Sequence, residues 1–259
     1  MTTMTPWRAA RHGLTLAGRC LLHVRHSPGQ LLDMVVQPML FLVLFVFLFG
    51  GAVATDWRVY LQFVLPGVLV QAVLLATVAA GVTLNADLTT GIFDRFRSLP
   101  IARSAPLVGA VLGDAVRYVI TAGVVLAFGV LLGFRVRTSP LALAAGFVLV
   151  LVAAFTVCWI PALIGVLART PQRMQMLLAL VMFPLTFGSS VYVPTGTLPG
   201  WLRVWAEVNP VSALADAVRA LLLGGPAAGP ALRALAASGL VLAVFAPLTV
   251  AAYLRRMRR

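Results

Sequence analysis

Residues 59–86 read VYLQFVLPGVLVQAVLLATVAAGVTLNA, a run that contains no Asp, Glu or Arg. A transmembrane helix needs about 20 consecutive, mostly apolar residues, and this run exceeds that length. Comparable apolar runs recur along the chain and are separated by shorter segments that carry the charges. The pattern therefore predicts an all-α integral membrane protein rather than a soluble domain.

The composition of the whole chain indicates the same class. Of the 259 residues, 61% are hydrophobic and 10% are charged, whereas soluble domains are about half apolar and about a quarter charged. A soluble fold of this size could not cover so much apolar surface. The net charge is +13, and every basic residue is arginine. Because the arginines lie in short gaps between apolar runs, they fit a membrane surface with anionic lipids, and we expect no nucleic-acid partner.

We predict a single transmembrane domain over residues 1–259 with six membrane-spanning helices, and five or seven spans are the alternatives. The third span is slightly short unless it extends back through Asp114 and Arg117. These two residues form an i,i+3 pair on one helix face that can partly neutralise itself at membrane depth. The predicted spans are residues 34–55, 60–84, 107–134, 139–167, 174–193 and 232–254.

The placement of arginine predicts the orientation of the chain. Most of the 20 basic residues fall in segments that share one side of the membrane with the N-terminus. Cytoplasmic loops carry an excess of basic residues, so we expect a multi-pass protein of the plasma membrane with both termini in the cytoplasm. Arg135 and Arg137 go against this rule, but they flank a very short external loop.

Residues 5–30 have the period of an amphipathic helix that precedes the first span. Arg8, Arg11 and Arg19 recur on one face, and apolar residues recur on the other. A basic amphipathic helix can lie in the membrane interface or pack on the cytoplasmic ends of the spans. We expect a helix that does both and that ends near Ser27, Pro28 and Gly29.

The chain carries no sequence pattern for catalysis or nucleotide binding. It has neither a P-loop nor a Gly-rich dinucleotide motif, and Cys20 and Cys158 lack metal-site spacing. All three His residues lie in the N-terminal segment, which argues against a Ser-His-acid set. We therefore expect no catalytic, cofactor or metal site on this chain. Any uphill transport would need an energy source on a partner.

The cytoplasmic segment 85–106 is the best candidate for receiving such a partner. Its core, GIFDRFRSLPIAR at residues 91–103, places two Phe side chains among charged residues at helical spacing. A short helix with aromatic side chains suits docking into a groove of another subunit, and a solvated loop is the alternative. The candidate docking residues are Gly91, Ile92, Phe93, Asp94, Arg95, Phe96, Arg97, Leu99 and Arg103.

A second segment, residues 194–230, joins the fifth and sixth spans on the external side. It contains LPGWL at residues 198–202 and a helical pattern over residues 211–223. Asn209 is a good N-cap for that second helix, Pro210 fits its first turn, and residues 224–226 (GGP) would end it. We expect both helices on or slightly within the outer leaflet, where irregular backbone needs protein cover or a water-filled vestibule.

These two segments resemble the two signatures of ABC-2 type transporter permeases, especially those of the daunorubicin-resistance branch of actinobacterial exporters. The resemblance extends over nearly the whole chain. It implies a transport subunit, not itself an enzyme, in which residues 91–103 are the coupling helix that receives motion from an ATPase. The residues that match the external signature are Pro199, Trp201, Asn209, Pro210 and Arg219.

The same resemblance implies the partners and the cargo. Two copies of a separate ATP-binding subunit would hold ATP and Mg, and a second permease chain, identical or related, would complete an ATP-hydrolysing translocase. The cargo would be an antibiotic, a drug or a lipid that leaves through the plasma membrane. Spans rich in Leu, Val, Phe and Ala also suit a hydrophobic or amphiphilic cargo. Self-immunity, drug resistance and export of an envelope lipid or glycoconjugate all stay open.

Two other functions compete with the exporter. An ion-coupled secondary transporter needs internal repeats and buried ionisable residues, and Asp114 is the one candidate at membrane depth. A membrane enzyme that acts on lipids needs acids or His residues clustered near one interface, and the placement of His argues against it. A neighbouring gene that encodes a P-loop would favour the exporter.

Overall fold

The computed structural model describes the backbone of residues 28–53, 56–89 and 114–258, and the side chains of residues 36–51, 56–86 and 114–256. Every regular element within these ranges is helical. The helices are α1 Pro28–Val53, α2 Trp57–Ala76, α3 Val78–Thr89, α4 Ala115–Leu131, α5 Pro140–Val157, α6 Trp159–Leu167, α7 Pro171–Phe187, α8 Gly200–Val208, α9 Pro210–Leu223 and α10 Ala228–Arg258, and a 3₁₀ turn spans Thr195–Thr197.

Several helices begin at polar caps that the sequence supplies. Asp56, Ser139, Thr170 and Asn209 each accept a hydrogen bond from a backbone N–H in the first turn of α2, α5, α7 and α9, respectively. Proline follows the cap directly in α5, α7 and α9. Such caps satisfy backbone donors that have no partner within the helix, and proline costs nothing there because its missing N–H would be unpaired anyway.

Among the described residues, three helical stretches are long and apolar enough to cross a membrane. They are Trp57–Ala86, Pro140–Leu167 and Ala228–Arg256, and Val36–Gly51 and Ala115–Leu131 are shorter apolar helices. The all-α membrane class is therefore confirmed. The count of six spans stays a prediction, because α7 covers only part of the fifth predicted span before it ends at a glycine C-cap.

Two of the predicted spans are broken helices. A turn at Thr77 separates α2 from α3, and the hydroxyl and the N–H of Thr77 both donate to the Leu74 carbonyl. Cys158 separates α5 from α6, and its Sγ donates to the Phe155 carbonyl.

Pro28, which we expected near the end of the N-terminal helix, is the first residue of α1, where proline is readily accommodated.

The two segments that follow the breaks pack closely against each other. A Cβ added at Gly81 on α3 would lie 2.3 Å from the Pro161 carbonyl oxygen, and one added at Gly165 on α6 would lie 2.4 Å from the Gly81 carbonyl oxygen. Real Cβ contacts are not this short, so the approach requires glycine at both positions. Helices α3 and α6 therefore form one tightly packed pair.

The end of α6 is tied to two other helices. Asn85 Nδ2 on α3 donates to the Gly165 and Ala168 carbonyls at 2.8 and 2.9 Å. Arg256 Nη1 on α10 donates to the Val166 carbonyl and, at 3.1 Å, to the Ala168 carbonyl. These contacts satisfy carbonyls at the C-terminal end of a helix, which have no partner within the helix itself.

Candidate functional site

A cavity of about 320 Å³ lies between α1, α2, α3 and α4. It is located at the break between α2 and α3, where Leu75 and Ala76 line it before the break and Val78 and Ala79 line it after. Gln37 and Thr83, which also line it, are exposed. Its volume and its largely apolar lining are typical of pockets that bind small molecules.

Besides the exposed Gln37 and Thr83, three polar residues line this cavity, namely Gln71 from α2 and Arg117 and Thr121 from α4. Gln71 and Thr121 are each only 2% exposed. Within the part of the chain that the structure describes, Gln71 Nε2, Arg117 Nε and Thr121 Oγ1 are buried and have no hydrogen-bond partner. These three atoms are termed the donor triad. Leaving a buried donor unsatisfied costs about 1–3 kcal/mol, so three around one cavity require an explanation.

The Gln71 carboxamide is held in place by Tyr192. The Tyr192 hydroxyl donates to Gln71 Oε1, and the Tyr192 carbonyl accepts from the Tyr60 hydroxyl at 2.8 Å. The Tyr192 ring stacks on Phe45 with the ring centroids 3.9 Å apart. Because the tyrosine hydroxyl holds the carbonyl oxygen of Gln71, the amide nitrogen points away from Tyr192.

Asp114 and Arg117 form the ion pair that their spacing predicts. Arg117 Nε lies 3.7 Å from Asp114 Oδ1, and the two side chains are 15% and 13% exposed, respectively. That distance is too long for a hydrogen bond. The carboxylate therefore compensates the charge of Arg117 without occupying its Nε–H.

The predicted external motif divides into two parts, and the first joins α7 to α9. Asn209 Oδ1 accepts from the Val211 N–H at 2.9 Å. Its Nδ2 donates to the Leu185 carbonyl at 2.8 Å and to the Gly188 carbonyl at 3.1 Å. Pro210 is the first residue of α9. One side chain thus caps the start of one helix and binds carbonyls at the end of another.

Arg219 lies nearer the C-terminal end of α9 and binds the segment that follows α7. It donates to Asp216 Oδ1 at 2.6 Å, to the Phe63 carbonyl at 3.0 Å and to the Ser190 carbonyl at 3.1 Å. The guanidinium also lies 3.9 Å from the centroid of the Phe63 ring. Ser190 Oγ donates to the same Asp216 oxygen at 3.0 Å. Ser190, Asn209, Asp216 and Arg219 are termed the external clamp.

The second part of the motif lies on α8, apart from the external clamp. Pro199 precedes this helix, and Trp201 and Trp205 on one of its faces are 76% and 47% exposed. Arg203 and Glu207 form an exposed ion pair at 2.8 Å. A short helix with exposed tryptophans and a separate charged pair is typical of the membrane interface.

The candidate docking residues 91–103 lie outside the described residues, so their role stays a prediction. Helix α3 ends at Thr89, shortly before that segment, and it also lines the cavity. In the described ranges, the structure has no group of three or more His, Cys, Asp and Glu side chains that could hold a metal ion.

Sequence reasoning did not identify Gln71 and Thr121. Each is an uncharged polar residue within a long apolar run, and such residues commonly serve helix packing. The available signal was the position of Gln71 near the middle of residues 59–86. Polar groups at membrane depth are costly and are often functional.

Known membrane transport proteins resemble this chain over most of its length. A family model for the ABC-2 type transporter matches residues 12–223, which include both the cavity and the external clamp. The "Daunorubicin resistance ABC transporter permease protein DrrB1" of Streptomyces coeruleorubidus is 42% identical over 240 residues, covering 93% of this chain and 85% of that protein. The "Doxorubicin resistance ABC transporter permease protein DrrB" of Mycobacterium tuberculosis is 28% identical over 202 residues, covering 74% and 70%.

Proposed function

Because this chain belongs to the ABC-2 type transporter family, as a multi-pass permease subunit, we propose that it forms the membrane path of an ATP-driven exporter for amphiphilic compounds. The names of its relatives refer to daunorubicin and doxorubicin resistance, which supports a drug-like or antibiotic cargo. The observation that carries this proposal is the largely apolar cavity with polar side chains at the break between α2 and α3.

The energy for export comes from a separate ATP-binding subunit. Two copies, each holding ATP and Mg, dock on residues 91–103 from the cytoplasm, where both termini of the permease also lie. Phe93 and Phe96 supply the apolar contact and Arg95 and Arg97 the charged one. A second permease chain, identical or related, completes the path through the plasma membrane.

Helix α3 is the mechanical link between the docking segment and the cavity. It reaches from the break at Thr77 to Thr89, just before the segment that receives the ATP-binding subunit. Its glycine contact with α6 favours movement of the two helices as one unit, and the breaks at Thr77 and Cys158 are natural pivots for that unit. Because residues on both sides of Thr77 line the cavity, a tilt of α3 changes the shape of the cavity.

The test is co-purification of the full-length permease with the ATP-binding subunit encoded nearest to it. The wild type is expected to retain that subunit and to move daunorubicin into inverted membrane vesicles when ATP is added. The Phe93→Ala/Phe96→Ala variant is expected to insert normally but to lose both properties, because its docking surface lacks the aromatic side chains.

A matched control replaces two exposed phenylalanines of α1, in the variant Phe47→Ala/Phe49→Ala. These residues lie near the C-terminal end of α1, away from the proposed docking segment in the sequence. Retention of the ATP-binding subunit should therefore be normal. Full retention and transport by the Phe93/Phe96 variant would contradict the docking role. A wild type that retains no ATP-binding subunit would contradict the proposed function itself.

A further inference from the structure

We propose that the donor triad binds the polar end of the transported molecule, so that the permease selects an apolar compound that carries hydrogen-bond acceptor oxygens. The inference rests on the proposed function and adds the chemistry of the cargo. It starts from the one group of buried polar atoms around the cavity that lacks partners in the described part of the chain.

The first argument is the behaviour of the other buried threonines. The hydroxyls of Thr77, Thr156, Thr186 and Thr249 each donate to a carbonyl three or four residues earlier, at 2.6–2.8 Å. This is the usual way for threonine to satisfy its hydroxyl within a helix. Thr121 departs from that pattern, since within the described residues its hydroxyl makes no such bond although it is equally buried.

The second argument is the direction of the Gln71 amide. Its oxygen is occupied by the Tyr192 hydroxyl, and Tyr192 is itself fixed by its carbonyl bond to Tyr60 and its stacking on Phe45. The side chain is therefore oriented before any ligand binds, with its nitrogen left to donate. An arrangement that is set in advance loses little freedom on binding.

The donor chemistry defines the ligand. An amide nitrogen and a guanidinium nitrogen can only donate, and a hydroxyl can donate or accept. Asp114 at 3.7 Å compensates the charge of Arg117, so the site does not require an anion. The matching group is a neutral carbonyl, hydroxyl or ether oxygen on an apolar body, whether it belongs to a drug-like cargo or to the ester of a membrane lipid. Low polarity around the site strengthens each such bond.

The test measures binding of daunorubicin, whose planar ring system carries carbonyl and hydroxyl oxygens, to the full-length permease in complex with its ATP-binding subunit. Fluorescence titration compares the wild type with Thr121→Val, which removes the hydroxyl and keeps the shape. The dissociation constant is expected to rise about three- to tenfold. The unfolding midpoint should stay the same or rise, because the deleted hydroxyl makes no bond in the described structure.

Two further variants make this result specific. Thr156→Val makes the same chemical change at a buried threonine that does not line the cavity, and its affinity for daunorubicin should be unchanged. Gln71→Leu should weaken binding at least as much as Thr121→Val. Unchanged affinity in both Thr121→Val and Gln71→Leu would overturn the inference, as would a wild type that binds neither daunorubicin nor lipid.

A second arm identifies the source of the acceptor oxygens. Dihexanoylphosphatidylglycerol is added as a competitor to the wild type and to Thr121→Val. Competition that is weaker in the variant would support the site as one for lipid ester oxygens, and daunorubicin binding without competition would support it as a cargo site. Failure of this inference leaves retention of the ATP-binding subunit normal, whereas failure of the proposed function removes it.

Discussion

Arg219 and Arg117 each follow an aspartate by three residues, but they differ in what else they contact. In the external clamp, Arg219 lies 2.6 Å from Asp216 and also donates to two backbone carbonyls. Beside the cavity, Arg117 lies 3.7 Å from Asp114, and its Nε has no hydrogen-bond partner among the residues that the structure describes. The same local motif thus produces an arginine whose three side-chain nitrogens all donate in one place and an arginine whose Nε does not donate in the other.

The difference distinguishes a structural network from a binding site. A buried polar network in which the donors have acceptors stabilises one arrangement of the chain, and the external clamp does this for the segment between α7 and α9. A network with spare donors costs stability unless another molecule supplies the acceptors. The cavity has such donors, which is why we assign it to the cargo and the external clamp to the fold.

The largest expected effect on stability is that of Arg219→Met. The substitution leaves the Phe63 and Ser190 carbonyls without their donor and Asp216 without its counter-charge, so we expect a loss of about 2–4 kcal/mol. Thermal unfolding of the purified permease in detergent measures it. Arg203→Met is the control, because its pair with Glu207 is about half exposed and should contribute less than about 1 kcal/mol. Equal losses in the two variants would remove the distinction between the external clamp and a surface pair.

A smaller effect is expected for Asp114→Asn. The amide keeps an oxygen near Arg117, and the original contact is longer than a hydrogen bond. The substitution still removes the compensating charge from a largely buried pair, so we expect a loss of about 1–3 kcal/mol in stability. Daunorubicin transport into inverted vesicles should continue, because the proposed exporter takes its energy from ATP and not from a proton at Asp114. Complete loss of transport in a folded variant would instead favour an ion-coupled transporter.

Local sequence signals predicted the local structure well around α9. Asn209 and Pro210 predicted the start of a helix over residues 211–223, and the structure confirms it with α9 beginning at Pro210. Gly224 and Gly225 predicted its end, and they adopt φ angles of +93° and +135°, which glycine accommodates without strain. Caps and stops depend on neighbouring residues, so a sequence displays them directly.

The breaks and the polar contacts could not be predicted in the same way. Thr77 and Cys158 do not interrupt the apolar runs in which they lie, so hydropathy gives no sign of the two breaks. Each side chain donates to a carbonyl three residues earlier. Arg219 binds the carbonyl of Phe63, 156 residues away, and no local pattern indicates such a contact. The role of Gln71 likewise depends on Tyr192, which the sequence places far from it.

The most direct measurement compares two double variants, Asp114→Asn/Arg117→Met and Asp216→Asn/Arg219→Met, for unfolding midpoint and for daunorubicin transport per folded molecule. Removing both charges of a pair avoids leaving one of them uncompensated. We predict that the first variant unfolds within about 2–4 °C of the wild type and transports poorly, whereas the second unfolds at least about 6 °C lower and transports normally while folded. The reverse result, with transport lost at the external clamp and stability lost at the cavity, would contradict the assignment of the cavity to the cargo.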